Sequence, residues 1–356
     1  MLADNIAYEC ALNYRDGFSA IRNIECLLVH DGGMKVEPRI SIMIPTYNRP
    51  ELLKEAIDSA LNQKTDVPFE VVVVDNGTEQ IVSNKLDELV SSYRESNLRL
   101  FRNSSNIGMF GNWNRCITLA RGCYITILND DDILHSDYLE CIKWEISQGG
   151  RSAILVKFST FGRLAEHTSP LLSAIKESIL RLRQYILGTK KITLGDILYR
   201  YPAAGSLGIL FKKDDAIAIG GFMDVDWPIS DYVFMCKYWN AHGLKMVTKT
   251  LAKYRWDVNV GTKQETILGY VSKGLALRHT MARLHLKTKF PYIIGAFHMY
   301  AALSLIKYKN KICPSLTIPE IFYKFSLTQK YAPPLYNIIL KLYWKFFDLI
   351  NLKYKA

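Results

Sequence analysis

Residues 69–78, FEVVVVDNGT, decide the fold class of this 356-residue chain. Four consecutive valines form the continuous apolar run that is typical of a strand buried on both faces, and such strands belong to parallel sheets. The polar DNGT that follows marks the end of the strand. Similar apolar runs occur at 40–45 (ISIMIP), 98–101 and 124–128. The sequence therefore predicts several strands of one parallel sheet.

Helical patterns separate these strands. A helix is predicted from Pro50, because the apolar residues after it recur at helical spacing. That stripe consists of Leu52, Leu53, Ala56, Ile57, Ala60 and Leu61. Residues 205–211 indicate a further strand, and residues 229–239 a further helix. Alternating strands and helices predict an α/β fold, in which helices flank a mostly parallel sheet.

The net charge of +11 is unevenly distributed along the chain. Residues 271–356 hold 14 Lys and Arg against two acids, whereas the first 270 residues hold 31 basic and 32 acidic residues. We predict an N-terminal helical extension at 1–37 and an α/β domain at 38–270 with a helical insertion at 160–200. The third region is a helical, basic and aromatic C-terminal region at 271–356.

The C-terminal region is interpreted as binding an anionic membrane surface. Lysines alternate with Tyr, Trp, Phe and Ile in segments such as 341–355, a composition that suits a bilayer interface. The apolar run 290–306 has 17 residues, which is short for a span of about 20. Nucleic acid would also fit the charge, but the long apolar runs favour the membrane, so no nucleic acid is expected. A helical bundle with solvated lysines is the alternative.

A cytoplasmic location is expected, peripheral on the inner face of the membrane. The first residues, MLADNIAYEC, lack the basic-then-apolar order of a secretory signal. The seven cysteines are scattered and form no CxxC pair, so the sequence signals neither a disulfide framework nor a zinc site.

Polar residues follow three of the predicted strands, at 45–49 (PTYNR), 75–78 (DNGT) and 129–132 (NDDD). Ligands of such sheets bind beyond the carboxyl ends of the strands, so these residues mark the candidate site. The three adjacent carboxylates at 130–132 repel one another, and no Lys or Arg lies within six residues of them. Mg²⁺ or Mn²⁺ would offset that repulsion. The alternative is a solvated acidic turn that caps a helix.

Two further segments have both a functional and a structural interpretation. Asp75 and Asn76 are candidates for contacting the base or ribose of a nucleotide, but Asn-Gly is also a strong turn dipeptide. Asn106 precedes a predicted helix whose N-terminal amides suit a diphosphate, with Arg115 as a charge partner. The alternative there is a solvent loop with a helix cap.

Several ordered motifs resemble the family 2 glycosyltransferases of the GT-A fold. They are ISIMIPTYNRPELLKEAIDSALNQ, VVVVDNGT and NIGMFGNWNRCITLARGCYITILNDDDIL, followed by Gly-Gly-Phe at 220–222 and Ser-Asp at 230–231. The resemblance covers roughly residues 39–260. It implies a GT-A type, Rossmann-like sheet.

The resemblance also implies a role for each matching residue. For the donor, Pro45 and Tyr47 match residues that line the nucleobase, Asp75 and Asn76 match base and ribose contacts, and Asp130 matches a ribose or sugar contact. For the metal, Asp131 matches the metal-binding acid, and Asp257 falls where a His sometimes completes the site. Asp231 matches the catalytic base. Asn76, Asn129 and Ser230 stand where the family often has acids. Because Asn129 takes the place of the first Asp of the acidic motif, the register of that motif is open by one residue.

The implied activity is inverting transfer of a sugar from a nucleoside-diphosphate sugar to a hydroxyl of a glycan or lipid-linked acceptor. The resemblance places this reaction in bacterial surface polysaccharide synthesis, with Mn²⁺ or Mg²⁺ as cofactor. A sugar-1-phosphate nucleotidyltransferase would need a Gly-rich, Arg-containing loop after the first strand, and PTYNRP is not such a loop. A non-catalytic protein that binds nucleotide sugars, or a scaffold of the same fold, is the remaining alternative.

Overall fold

The computed structural model describes residues 12–93, 96–162, 188–200, 206–256, 263–285, 313 and 315–317. Ten strands in this part of the chain form one sheet. They are β1 (Cys26–Asp31), β2 (Ile40–Thr46), β3 (Phe69–Asp75), β4 (Leu98–Asn103), β5 (Tyr124–Ile127), β6 (Ile133–Leu134), β7 (Ala153–Phe161), β8 (Thr189–Lys191), β9 (Leu210–Lys212) and β10 (Leu244–Arg255).

The sheet has the order β1-β4-β3-β2-β5-β9-β7-β10-β6, and β8 also pairs with β10. Strands β4, β3, β2 and β5 are parallel neighbours, and β7 and β10 form another parallel pair. Because β9 is antiparallel to both β5 and β7, these two parallel groups run in the same direction. The predicted α/β fold with a mostly parallel sheet is confirmed, and the carboxyl ends of β2, β3 and β5 lie next to one another.

Helices cover both faces of the sheet. They are α1 (Pro50–Leu61), α2 (Gln80–Ser91), α3 (Met109–Leu119), α4 (Tyr138–Ser147), α5 (Leu194–Arg200), α6 (Lys213–Ala218), α7 (Ser230–His242) and α8 (Gln264–His285). Val71 and Val73 pack in the core beneath α1, α2 and α4, whereas Val72 and Val74 pack beneath α3 and α7. Alternate residues of a strand point to opposite faces, so the valine run is needed to fill both cores.

The N-terminal region differs from its prediction. Its described part, residues 12–37, contains a 3-10 turn at Ser19–Ile21 and the strand β1, which pairs antiparallel with β4 at the edge of the sheet. The helical prediction fails here because Leu27 and Leu28 of this edge strand are exposed, so the strand shows no clear alternation of buried and exposed residues.

The predicted boundaries around the insertion and at residue 270 also differ from the structure. Residues 153–161 and 189–191 are strands, and α5 is the helix in the described part of the predicted insertion, while residues 163–187 lie outside the described residues. Helix α8 runs through residue 270 without a break. None of the described helices combines the length and the apolarity needed to cross a bilayer.

Candidate functional site

The ends of β2, β3 and β5 meet at one rim of the sheet. Thr46 is paired in register with Asp75, and its carbonyl accepts a hydrogen bond of 3.0 Å from the Asn76 amide. The Thr46 hydroxyl donates to Asp130 Oδ2 at 2.8 Å, which ties the loop after β5 to the end of β2. Pro45 is buried within β2, whereas Tyr47 projects from the rim with 41% of its surface exposed.

The three carboxyl groups at 130–132 are difficult to ionise. Burial raises the pKa of Asp130 to about 6 and that of Asp132 to about 7, and the neighbouring charge of Asp131 adds to both shifts. Burial also raises the pKa of Asp131, although Arg49 and Arg255 act in the opposite direction. Repulsion and burial together make this cluster a place where a cation is favourable.

The three carboxylates have different surroundings. Asp132 accepts hydrogen bonds from the Arg255 amide and from Asn129 Nδ2, both at 2.8 Å. Asp131 Oδ2 instead accepts from Arg49 Nη1 at 3.1 Å, and the same nitrogen lies 3.5 Å from Asp130 Oδ1. Asp131 is therefore the member of the cluster whose carboxylate pairs with the half-exposed guanidinium group of Arg49.

Sequence reasoning missed both arginines of the cluster. Arg49 belongs to the quoted motif PTYNRP, but no role was assigned to it. Arg255 donates from Nε to the Asp131 carbonyl at 2.9 Å and from its terminal nitrogen to Glu55 at 2.7 Å, so it fixes the backbone of the acidic turn. The contact of Arg49 spans 82 residues and that of Arg255 spans 124, so neither could be seen within a local motif.

The residues present fit a hard divalent cation that a substrate helps to bind. Among the described residues, no three Asp, Glu, His or Cys side chains converge into a cage for a metal ion. Mg²⁺ in phosphate-transfer sites is commonly held by one or two carboxylates together with substrate phosphates, so a preformed cage is not required. Asp131 and its neighbour Asp130 supply such carboxylates. The predicted ligand Asp257 lies outside the described residues.

Asp75 is occupied by contacts within the protein. It is fully buried, its Oδ2 accepts from Arg102 Nε at 2.6 Å, and its Oδ1 accepts from the Thr78 amide at 3.1 Å. Arg102 also pairs with Asp87 at 2.7 Å. The structure gives Asp75 a role in holding the turn after β3.

The side chain of Asn76 makes four hydrogen bonds within the protein. Its side-chain oxygen accepts from the Ile107 amide at 3.0 Å and from Asn103 at 3.2 Å. Its nitrogen donates to Asn106 Oδ1 at 2.9 Å and to the Gly108 carbonyl at 3.1 Å. Asn76 and Asn106, both predicted to contact the donor, hold the loop that leads into α3.

Arg115, which is predicted to be a charge partner for a diphosphate, contacts the N-terminal segment. Its guanidinium group donates to the carbonyls of Ile21 and Ile24 at 2.8 and 2.6 Å. Arg115 therefore anchors the N-terminal segment to α3. Sequence spacing could not show this, because the partner carbonyls lie more than 90 residues away.

The Gly-Gly-Phe segment is required for close packing beside the N-terminal segment. A Cβ at Gly220 would lie 1.9 Å from the Arg15 carbonyl oxygen, and a Cβ at Gly221 would lie 2.5 Å from Asn114 Oδ1. Both glycines also have positive φ angles of 88° and 66°. Asn114 bonds both the amide and the carbonyl of Phe222, at 2.9 and 2.8 Å.

Asp231 lies in the first turn of α7, and its neighbour Ser230 ties the start of this helix to the loop before it. The Ser230 hydroxyl donates to the Met223 carbonyl at 2.6 Å and accepts from the Met223 amide at 3.0 Å. Serine at this position is thus a structural tie. Asp231 itself is half-buried, and its Oδ1 accepts from the Tyr232 amide at 2.8 Å. Negative charge in the first turn of a helix is stabilised by the helix dipole.

The mostly parallel sheet, the acidic turn after β5 and the Gly-Gly-Phe loop before α7 define a glycosyltransferase fold of the GT-A type. Residues 41–195 match the model of glycosyl transferase family 2.

Relatives with similar sequences are glycosyltransferases by name. An uncharacterized glycosyltransferase of Methanocaldococcus jannaschii is 35% identical over 29% of this chain and 36% of its own length. The amylovoran biosynthesis glycosyltransferase AmsB of Erwinia amylovora is 36% identical over 28% of this chain and 33% of its own. The abequosyltransferase RfbV of Salmonella typhimurium is 34% identical over 29% of this chain and 31% of its own length. The chain thus spans about a third of the length of these relatives.

A solved structure supports the fold over a longer stretch. Residues 1–349 of Staphylococcus aureus TarS, crystallised in complex with UDP, superpose with a TM-score of 0.50 and 18% sequence identity. The superposition covers 76% of this chain and 72% of that one. At this identity the similarity establishes the fold alone.

Proposed function

We propose that the protein is an inverting glycosyltransferase that moves a sugar from a nucleoside-diphosphate sugar to a hydroxyl of a glycan or lipid-linked acceptor. The observation that carries the proposal is the acidic turn after β5, where three buried or half-buried carboxyl groups have raised pKa values and few cationic partners. Such a turn favours a divalent cation and, through it, a diphosphate.

Donor binding is assigned to the rim formed by β2 and β5. Asp131, with Asp130 beside it, would hold Mn²⁺ or Mg²⁺, which would offset the charge of the leaving nucleoside diphosphate. The Tyr47 backbone bonds Asp130 of this turn, and its partly exposed side chain is the proposed contact for a nucleobase. Asp75, Asn76 and Asn106 hold the loops of this rim in place through the hydrogen bonds described above.

Asp231 is proposed as the general base. Its carboxylate accepts the proton of the acceptor hydroxyl while that oxygen forms a bond to the anomeric carbon of the donor. The bond from the anomeric carbon to the phosphate oxygen breaks in the same step, and the nucleoside diphosphate leaves with the electron pair. One displacement of this kind inverts the anomeric configuration, and the transition state resembles an oxocarbenium ion.

The biological setting is also a proposal. The names of AmsB and RfbV connect similar sequences with amylovoran biosynthesis and abequosyl transfer, which supports a role in polysaccharide synthesis. The basic C-terminal region, 14 Lys and Arg against two acids, supports docking on an anionic membrane surface at the cytoplasmic face. Most of that region lies outside the described residues, so its support comes from composition.

The base assignment is tested with Asp231→Asn. The amide keeps the size and much of the hydrogen bonding of the carboxylate but cannot take up the proton, so transfer should fall about 10²- to 10⁴-fold while donor affinity stays constant. The assay is turnover of UDP- and GDP-sugars with Mn²⁺, with acceptors drawn from oligosaccharide and lipid-linked pools.

Asp214→Asn is the matched control, because Asp214 is an exposed acid in the first turn of α6. It should leave turnover unchanged. Turnover by Asp231→Asn within a few-fold of the parent would remove this residue from the role of base. A product that keeps the anomeric configuration of the donor would contradict the single displacement. A parent protein that binds donors but turns none over would favour the non-catalytic alternative.

A further inference from the structure

Arg49 has contacts that the proposed function leaves unexplained. Its Nη1 bonds Asp131 Oδ2 at 3.1 Å and lies 3.5 Å from Asp130 Oδ1. Arg255, the other arginine of this turn, reaches the Asp131 carbonyl and Glu55 instead of the cluster's carboxylates. Within the described residues, Arg49 is thus the guanidinium group that neutralises the carboxylate assigned to the cation.

The backbone of Arg49 is fixed although its side chain is free to move. Asn48 has a positive φ of 56°, a conformation that asparagine tolerates, and its amide donates to the Thr78 hydroxyl at 3.2 Å. The Asn48 side chain also accepts from the Glu79 amide at 3.3 Å. The side chain of Arg49 is 42% exposed, so it can leave Asp131 without disturbing the core.

We propose that Arg49 is a positioning residue that exchanges partners when the donor binds: it pairs with Asp131 before binding and with the donor's diphosphate afterwards. The proposal rests on the assignment of Asp131 to a divalent cation. A cation and a guanidinium group compete for the same carboxylate oxygen, so binding of the cation releases Arg49. The diphosphate that accompanies the cation then lies within reach of the released guanidinium group.

The energetics favour this exchange. A half-exposed ion pair contributes little net stability, so leaving Asp131 costs little. Arginine binds phosphate through two parallel hydrogen bonds, which are shorter and stronger than neutral ones. The exchange therefore replaces a weak pair with a stronger one and keeps the acidic turn neutralised in both states.

The proposal predicts effects of opposite sign in Arg49→Gln. Affinity for Mn²⁺ alone should rise about two- to fivefold, because the competing ion pair is gone. Affinity for UDP or GDP in saturating Mn²⁺ should fall about 10- to 100-fold, because a charge-assisted contact to phosphate is lost. Mn²⁺ binding is followed by electron paramagnetic resonance of the free ion, and nucleotide binding by isothermal calorimetry.

Two variants separate this role from a general effect of charge. Arg121→Gln removes an equally exposed arginine, 42%, that faces Asp31 at 3.9 Å on the edge of the sheet, and it should change neither affinity. Arg49→Lys keeps the charge but not the planar fork, so it should restore the weak Mn²⁺ affinity and only part of the nucleotide affinity.

The proposal is overturned if Arg49→Gln binds Mn²⁺ no more tightly than the parent, or if neither protein binds it. If Arg49→Gln binds UDP or GDP within twofold of the parent's affinity, the proposed contact between Arg49 and the diphosphate is overturned. A parent protein that binds neither UDP nor GDP would contradict the proposed function itself. The measurement with Mn²⁺ alone would still decide whether Arg49 competes for Asp131.

Discussion

The ends of β3 and β5 look alike in sequence but differ in the balance of their polar groups. Each apolar strand is followed by acids or amides at the same rim. After β3, both Asp75 oxygens and both polar atoms of Asn76 have partners within the protein. After β5, Asp131 shares one half-exposed arginine with Asp130, and burial raises the pKa of the carboxyl groups.

This difference separates a structural polar cluster from a functional one. A buried polar group that is fully hydrogen-bonded has nothing left to offer a ligand, and it rigidifies the fold. A cluster with more carboxylates than cationic side chains is electrostatically unfavourable by itself, and a bound metal cation would reduce the repulsion. The strand end at β3 therefore supports the rim, and the strand end at β5 is where we expect chemistry.

Asp131→Ala is the strongest test of this difference between the two strand ends, because the largest effect is expected from it. Losing a carboxylate that its neighbours repel should leave the fold intact, whereas Mn²⁺-dependent binding of UDP or GDP should be lost, by about 100-fold or more, with the carboxylate ligand. Calorimetry with and without Mn²⁺ measures this. Asp31→Ala, which removes the partner of Arg121, is the control. Nucleotide binding with an unchanged dependence on Mn²⁺ would show that the acidic turn does not hold the cation.

The matching change at the other strand end is Asp75→Ala. Removing one member of a buried ion pair leaves Arg102 without its closest partner, so the free energy of unfolding should fall by about 3–5 kcal/mol. Urea denaturation at pH 7 measures it.

Asp87→Ala is the control for Asp75→Ala, because Asp87 is the other partner of Arg102 and its side chain is 39% exposed. It should cost at most about 1 kcal/mol. If Asp75→Ala folded with normal stability yet lost nucleotide binding, the two strand ends would have the same role and the comparison would fail.

The smallest expected effect concerns pH. The folded-state pKa of Asp132 is raised to about 7, whereas an unfolded aspartate titrates near 4. Between these values the folded protein binds more protons than the unfolded chain. The free energy of unfolding of the metal-free protein should therefore fall as pH rises from 5 to 8.

Comparison with Asp132→Asn isolates this contribution. The loss between pH 5 and pH 8 should be smaller in the variant by on the order of 1 kcal/mol, and any pH-independent cost of the substitution cancels. Urea denaturation in the presence of a chelator provides both values. An identical pH dependence in the two proteins would mean that Asp132 is ionised normally in the folded state.

The sequence by itself determined the central sheet and the position of the rim. Strands β2 to β5 begin where their apolar runs begin, because a strand buried on both faces is apolar at most positions. The same runs put polar residues at the carboxyl ends, so the acidic turn and Tyr47 were found correctly as rim residues. Strand β1 escaped prediction because an edge strand with exposed Leu27 and Leu28 has no such constraint.

Only the tertiary structure decided which polar residues of the rim are occupied. Asp75 and Asp131 follow similar strands, and nothing within their own segments distinguishes them. Arg102, 27 residues from Asp75, and Arg49, 82 residues from Asp131, are brought to them by the pairing of strands. Arg115 is likewise held by carbonyls of the N-terminal segment, more than 90 residues away. Local patterns fix burial along one strand, whereas the balance of charge at a site depends on side chains that arrive from distant parts of the chain.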